Sequence, residues 1–343
     1  MNGNRIRIGA INWDAALPKN TYFGGFALRN LGTDKYCEKL PYFAKKTENG
    51  YEINFRTQDE YDFELSLAYQ NGIDFFAYCW YPDTAPETRT VWRDTRKFTD
   101  LLPYLPELNF ARKLYQKSPL NKKIGMCAIM FSNSAYSPSD IDDLLFAMEQ
   151  DYYEKIDGRP LIIIYGGYNG EFIRLLKNFA ATKNLTPYFA FVDNGGYGDI
   201  TLDYSEADAV TAYASCNPAN TFDELTNLGA IENEKRLAYK MSAIPMLSMG
   251  WNPAPRVDNP SPWVNYRDLP YAGLPNEAEI EYAFKSLDDF ITQNKEQSNT
   301  GVALVFAWNE FEEGGYLCPT LNPDGGMNDT LLKTFAKVRE KYK

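Results

Sequence analysis

The stretch Val302-Ala303-Leu304-Val305-Phe306-Ala307-Trp308-Asn309-Glu310-Phe311-Glu312-Glu313-Gly314-Gly315-Tyr316 changes character in its middle. Its first six residues are apolar, the pattern of a strand buried on both faces of a parallel sheet. Trp-Asn-Glu ends that run, and two more carboxylates and a Gly-Gly turn follow. A buried strand needs no polar chemistry at its tip. A site for a sugar uses all of it: an aromatic face, an amide, and carboxylates to move protons.

Working outward, seven other runs rich in Ile, Val, Phe and Tyr read the same way. The eight strands are expected at 5–13, 73–80, 124–131, 160–166, 187–193, 207–214, 244–250 and 302–309. Helical spacing lies between most of them. Tyr61, Leu65, Ala68 and Tyr69 form one face, with Gly72 as a stop. Ser139 and Asp142 read as a capping box, followed by Ile141, Leu144, Leu145 and Met148 on one face. Ile280, Phe284, Leu287 and Ile291 line the helix before the last strand, and Leu331, Phe335 and Val338 the closing one. Strands alternating with helices predict an α/β fold, a single (β/α)8 TIM barrel over 1–343 with long loops after the strands. The segments 14–57, 81–106 and 251–275 are expected to be such loops, and 194–206 is too short for a full helix. In this fold the loops after strands build the functional face.

Composition narrows the chemistry. The net charge is −11, which argues against nucleic acid and anionic membrane surfaces as partners. There is no histidine, so Ser-His-Asp triads, Cys-His pairs and His-ligated zinc are excluded. Acid–base work falls to carboxylates, Tyr, Lys or Cys. The five cysteines, at 37, 79, 127, 216 and 318, are scattered without a CxxC pair and read as reduced thiols. No apolar run is long enough to span a bilayer. The first residues run directly into Arg5-Ile6-Arg7-Ile8, so no signal peptide is visible. That leaves the cytoplasm, or an exported location had a leader already been removed.

Four of the six tryptophans, Trp13, Trp80, Trp251 and Trp308, fall at predicted C-terminal strand ends, with Tyr78, Tyr165 and Tyr213 close by. In a barrel they are expected to share one mouth, where flat rings face the C–H surfaces of a sugar. Asn12, Asp14, Asp83, Asn133, Asp193, Asn194, Asn252, Arg256, Asn309, Glu310 and Glu313 occupy the same ends, and Tyr316 follows the Gly-Gly turn. About half of these polar groups are expected to be Asx turns or caps. Glycoside hydrolysis commonly uses two carboxyl groups about 5–10 Å apart. Glu310 and Glu313 supply such a pair from one loop, with Glu312 expected to point elsewhere. Residues 323–329 superficially suggest a calcium loop but lack EF-hand spacing and read as a turn plus helix cap. Asp140-Ile141-Asp142 reads as a helix first turn, where acidic residues favour the dipole. With no phosphate loop either, neither metal nor organic cofactor is expected.

Three ordered motifs resemble the family 99 glycoside hydrolases and the wider family-99-like domains of polysaccharide gene clusters. Trp308-Asn309-Glu310-Phe311-Glu312-Glu313-Gly314 resembles their Asn-Glu-Trp-x-Glu-Gly, and Tyr316-Leu317-Cys318-Pro319 the following Tyr-Leu-Glu-Pro. Gly250-Trp251-Asn252-Pro253-Ala254-Pro255-Arg256 is similar to Gly-Trp-Asp-Asn-x-Pro-Arg. Tyr152-Tyr153-Glu154-Lys155-Ile156-Asp157-Gly158-Arg159-Pro160 is similar to Tyr-x-x-Val-Asp-Gly-Arg-Pro. The chain departs from the pattern at Phe311 for Trp, Glu312 for a frequent His, Cys318 for Glu and Asn252 for Asp.

The resemblance implies a barrel that cleaves an α-linked oligosaccharide or polysaccharide, like an endo-α-mannosidase or mannanase. It implies retention through the sugar's own 2-hydroxyl, with Glu310 assisting that hydroxyl and Glu313 as acid/base. Burial among aromatics is expected to keep Glu313 protonated, while Glu310 stays ionised beside polar groups such as Asn309. Two other readings share the aromatic mouth: a non-hydrolytic carbohydrate-binding barrel, and a glycosyltransferase or other polysaccharide-assembly enzyme.

Overall fold

The computed structural model describes residues 5–83, 102–132, 134, 136–195 and 201–342. Eight strands form its centre: β1 (Arg7–Asn12), β2 (Phe75–Trp80), β3 (Gly125–Phe131), β4 (Arg159–Tyr165), β5 (Tyr188–Val192), β6 (Ala209–Thr211), β7 (Ser242–Ala243 and Met246–Ser248) and β8 (Val302–Phe306). All are buried along nearly their whole length, as strands covered by helices on one face and by each other on the second must be. Parallel pairing runs from β1 through β6 in sequence order, and β8 pairs with β1.

The seam closes through β7, which is broken at Pro245. Its first half pairs with β6 and its second half with β8. Ile244 N donates to Val210 O at 2.9 Å, and Pro245 O accepts from Leu304 N at 2.9 Å. Proline has no N–H to give to a ladder, so the strand changes partner where it has nothing to donate. The result is the expected (β/α)8 barrel.

Helices α1 (Tyr22–Leu31), α2 (Gln58–Gln70), α3 (Phe110–Lys117), α4 (Pro138–Glu149), α5 (Gly170–Ala181), α6 (Phe222–Arg236), α7 (Ala254–Asp258), α8 (Glu277–Gln293) and α9 (Thr330–Arg339) surround it. Among the described residues no helix is long and apolar enough to cross a membrane. All five cysteines are free.

Three local expectations are corrected. The capping box of α4 is Ser137 with Asp140, two residues before the expected one. Both pairs fit the pattern, and Pro138 selects the first, because its fixed φ and missing N–H suit the first helical position. Residues 14–57 are not one irregular loop: they hold α1 and a short hairpin, Lys45–Thr47 with Gly50–Glu52. Two glycines hide α1 from propensity. One of them, Gly24, packs so closely that a Cβ there meets Leu17 O at 2.2 Å. On α2 the buried face is Tyr61, Glu64, Leu65 and Ala68, while Tyr69 is exposed. The expected loop 81–106 lies largely outside the described residues, as does Asn133.

Candidate functional site

At the C-terminal end of the barrel lies a cavity of about 250 Å³. Trp13 follows β1, Tyr81 follows β2, Phe131 ends β3, Tyr165 ends β4, Tyr213 follows β6 and Trp251 follows β7; all line it, with Trp263 and Tyr266 from the loop after β7. The rings brace one another. Trp13 Nε1 donates to Tyr81 Oη at 3.0 Å. Tyr81 stacks on Phe131 with centroids 4.5 Å apart, and Tyr165 meets Tyr213 edge-on at 5.2 Å. Phe306 packs against both Tyr213 and Trp251.

The carboxylates come from a tight hairpin after β8, in which Asn309–Glu310 pairs antiparallel with Gly315–Tyr316. Its turn touches the loop after β7. Asn252 N donates to Glu313 O at 2.7 Å. Gly250 and Gly314 both have positive φ, and a Cβ on Gly250 would lie 2.3 Å from Gly314 O. Only glycine permits that approach in that conformation.

Glu310 and Glu313 both border the cavity. Glu310 Oε1 accepts from Tyr213 Oη at 2.7 Å, and Oε2 is buried without a hydrogen-bond partner among the described residues. Glu313 Oε1 accepts from Arg256 and from Tyr266 Oη, the latter at 2.6 Å. Arg256 also reaches Glu312 Oε2 at 3.3 Å, and its guanidinium lies over Trp13 at 5.2 Å and Trp263 at 5.9 Å. Burial pushes the Glu310 carboxyl well above the ordinary range, and the Glu313 charge adds to it. Glu310 makes no ion pair among the described residues, whereas Glu313, the carboxyl expected to hold the proton, is ion-paired with Arg256. Burial also raises the phenols of Tyr213 and Tyr266, keeping them neutral donors. Trp251 Nε1 is also buried without a partner among the described residues, beside the same space.

Of the residues expected at the mouth, Trp13, Tyr165, Asn194, Tyr213, Trp251, Arg256, Glu310 and Glu313 line the cavity. The others serve elsewhere. Tyr78 and Trp80 face the helix layer: Tyr78 Oη bonds Tyr61 Oη at 2.6 Å, and the Arg112 guanidinium covers Trp80 at 3.7 Å. Strand alternation explains this: Cys79 and Tyr81 point inward, their even-numbered neighbours outward. Trp308 is fully buried and gives Nε1 to Glu64 Oε1 at 2.8 Å. Asn309 ties β1 to β8, accepting from Trp13 N at 2.9 Å and donating to Asn12 Oδ1 at 3.1 Å. Asp193 accepts from Tyr239 Oη at 2.5 Å, Asn252 Oδ1 from Ala254 N at 3.2 Å, and Tyr316 packs on Phe311. Asp14 pairs with Arg56, and Asp83 with Lys113 at 2.7 Å. Glu312, expected to point away, is buried at 4% exposure and held by Asn30 and Arg256.

Tyr81, Trp263 and Tyr266 were missing from the sequence reading. The first was one step of alternation away; the other two lie in a loop with no periodicity to read. Among the described residues no group of three or more acidic or thiol side chains is arranged to hold a metal. Asp140 caps α4, accepting from Ser137 N at 2.7 Å and Asp83 N at 2.7 Å. In 323–329, Asp324 Oδ1 closes a turn on Gly326 N at 2.9 Å and Asn328 Oδ1 accepts from Thr330 N at 3.2 Å.

The fold is similar to that of a family 99 endo-α-mannosidase from Bacteroides thetaiotaomicron, with a TM-score of 0.52 and 12% identity over 88% of this chain and 83% of that one. A structure of such an enzyme from the same organism in complex with bis-tris propane gives 0.50 and 14%, over 91% of this chain and 90% of that one. At such identities the likeness is one of fold. No family model and no curated protein matches the chain.

Proposed function

We propose that the chain is a retaining glycoside hydrolase of family-99-like type that cleaves an α-linked glycan in this cavity. One observation carries the reading: two carboxyls on one hairpin open into an aromatic cavity where Glu310 Oε2 and Trp251 Nε1 have no hydrogen-bond partner among the described residues. Polar atoms left unpaired in a buried site are positions a hydroxylated ligand would satisfy.

The sugar's 2-hydroxyl gives its proton to one carboxylate and attacks C1. The other carboxyl protonates the departing glycosidic oxygen, leaving a 1,2-anhydro sugar. Water then opens that ring, its proton going to the second carboxylate while the first returns its proton to O2. The motif resemblance gives Glu310 the 2-hydroxyl and Glu313 the leaving oxygen. The burial that disfavours a charge on Glu310 supports the opposite division, with Glu310 as acid and Glu313, ion-paired with Arg256, as base. Tyr213 and Tyr266 donate to the two carboxyls and hold them in place.

Release of reducing ends from a panel of α-linked glycans tests the activity, and the anomer first formed tests retention. The roles separate with aryl glycosides of good leaving groups, which need no acid. Glu310→Gln should recover most of its rate on them and Glu313→Gln should not. Recovery by Glu313→Gln alone restores the motif's assignment, and a panel without any cleavage removes the hydrolase reading.

A further inference from the structure

Glu312 lies between the two reacting carboxyls in sequence and behind them in space. It does not border the main cavity. Its Oε1 accepts from Asn30 Nδ2 at 2.5 Å, and Asn30 is itself fully buried on α1. Its Oε2 accepts from Arg256. A carboxylate buried close to two others is unfavourable, and an apolar residue of that volume would fill the same space. What only a carboxylate supplies here is a hold on the guanidinium. The fork of an arginine is planar and stiff, so fixing the arm on Glu312 fixes the arm on Glu313.

We infer that Glu312 is a positioning residue, which anchors Arg256 from behind and thereby sets the Glu313 carboxylate against the cavity. The inference rests on reading Glu310 and Glu313 as the reacting pair. Glu312, Glu313, Glu310 and Tyr266 are the titratable groups that act most on Arg256. The side chain α1 presents is the neutral Asn30, and Trp13 and Trp263 flank the guanidinium. Removing the Glu312 charge therefore leaves Arg256 to the other two carboxylates and takes a negative neighbour from Glu310. The second change favours the ionised form of Glu310, so the limb of the pH–rate profile that reports Glu310 moves to lower pH.

The test compares Glu312→Gln, Glu312→Asp and Asn30→Ala on a cleaved glycan. Glu312→Gln should lower kcat about tenfold to a hundredfold, the scale of a small misplacement, with KM within about twofold and the Glu310 limb shifted down. Glu312→Asp, which keeps the charge, should keep the wild-type limbs. Asn30→Ala loosens the anchor without changing charge, so it should lower kcat with the limbs in place. A wild-type kcat and profile in Glu312→Gln, or a wild-type kcat in Asn30→Ala, overturns the inference. A second readout needs no turnover: the pH midpoint of fluorescence from Trp13 and Trp263 should fall in Glu312→Gln, and an unchanged midpoint overturns the link. A shifted midpoint in a protein that cleaves nothing supports the anchor while removing the hydrolase reading.

Discussion

The molecule builds the same charged motif twice. Arg56 pairs with Asp14 and Glu64 and lies over the rings of Phe43 and Tyr61. Arg256 pairs with Glu312 and Glu313 and lies over Trp13 and Trp263. All six charged side chains are buried. The difference lies in what adjoins them. The Arg56 cluster is closed by Trp308 and Tyr61 and does not border the cavity. The Arg256 cluster adjoins it. Each region keeps one carboxylate oxygen without a hydrogen-bond partner among the described residues, Asp14 Oδ1 in the closed cluster and Glu310 Oε2 beside the cavity. Neither residue types nor an unsatisfied atom alone separates the two clusters; adjoining open volume does.

The sharpest way to break the comparison is to neutralise one carboxyl in each cluster. Glu310→Gln or Glu313→Gln should lower turnover about 10²–10⁴-fold with little change in melting temperature. Glu64→Gln should leave turnover of the folded protein near wild type and lower stability instead. Equal kinetic losses in all three, measured at matched folded fractions, would erase the distinction.

Removing the cation should be severe in the closed cluster. Arg56→Met leaves Asp14 and Glu64 buried without their partner, a change that costs about 3–5 kcal/mol. Denaturant midpoints read it directly, and an unshifted midpoint would mean that the cluster contributes nothing.

A pH series sharpens the contrast further. Burial pushes Asp14 up to about 6, against the opposition of Arg56. The folded protein then holds this proton more tightly than the unfolded chain. Its contribution to stability is full below about pH 4 and is lost as pH rises through about 6. Two pKa units correspond to roughly 3 kcal/mol. Glu310 acts in the same direction, so Asp14→Asn should remove only part of the fall in stability across that window. A slope identical to wild type would refute the assignment.

The smallest effects should come from the two buried indoles. Trp308→Phe strips Glu64 of a donor and should cost about 1–3 kcal/mol of stability without moving KM. Trp251→Phe loses a group with no hydrogen-bond partner among the described residues, so stability should hold. Affinity for a glycan should fall by about 0.5–1.5 kcal/mol, read by calorimetry.

The barrel was legible because a strand covered on both sides must be apolar along its length, and all eight such runs became strands. What the sequence hid was local. The partner change in β7 depends on Pro245 standing where two ladders compete. Trp80 looked like a mouth residue by position and size, yet it falls on the wrong side of the alternation that sends Tyr81 inward. Arg56 and Glu64 gave no signal because their further partners are distant along the chain: Asp14 lies 42 residues from Arg56, and Trp308 lies 244 from Glu64. Glu310 and Glu313 stood out because polar residues directly after a buried strand have few structural explanations. The ion pair of Glu313 did not, since its partner is an arginine from the preceding loop.

The bare contact between Gly250 and Gly314 limits how this site can be rebuilt. In most barrels each loop after a strand can be exchanged alone, which is how one scaffold hosts many chemistries. Here the loops after β7 and β8 meet backbone to backbone at these two glycines, so neither can change shape there alone. The first brings Arg256 and Tyr266, and the second brings Glu310, Glu312 and Glu313. A graft of either loop into another barrel should carry neither the clamp nor the carboxyl geometry, whereas the two moved together form one transplantable unit.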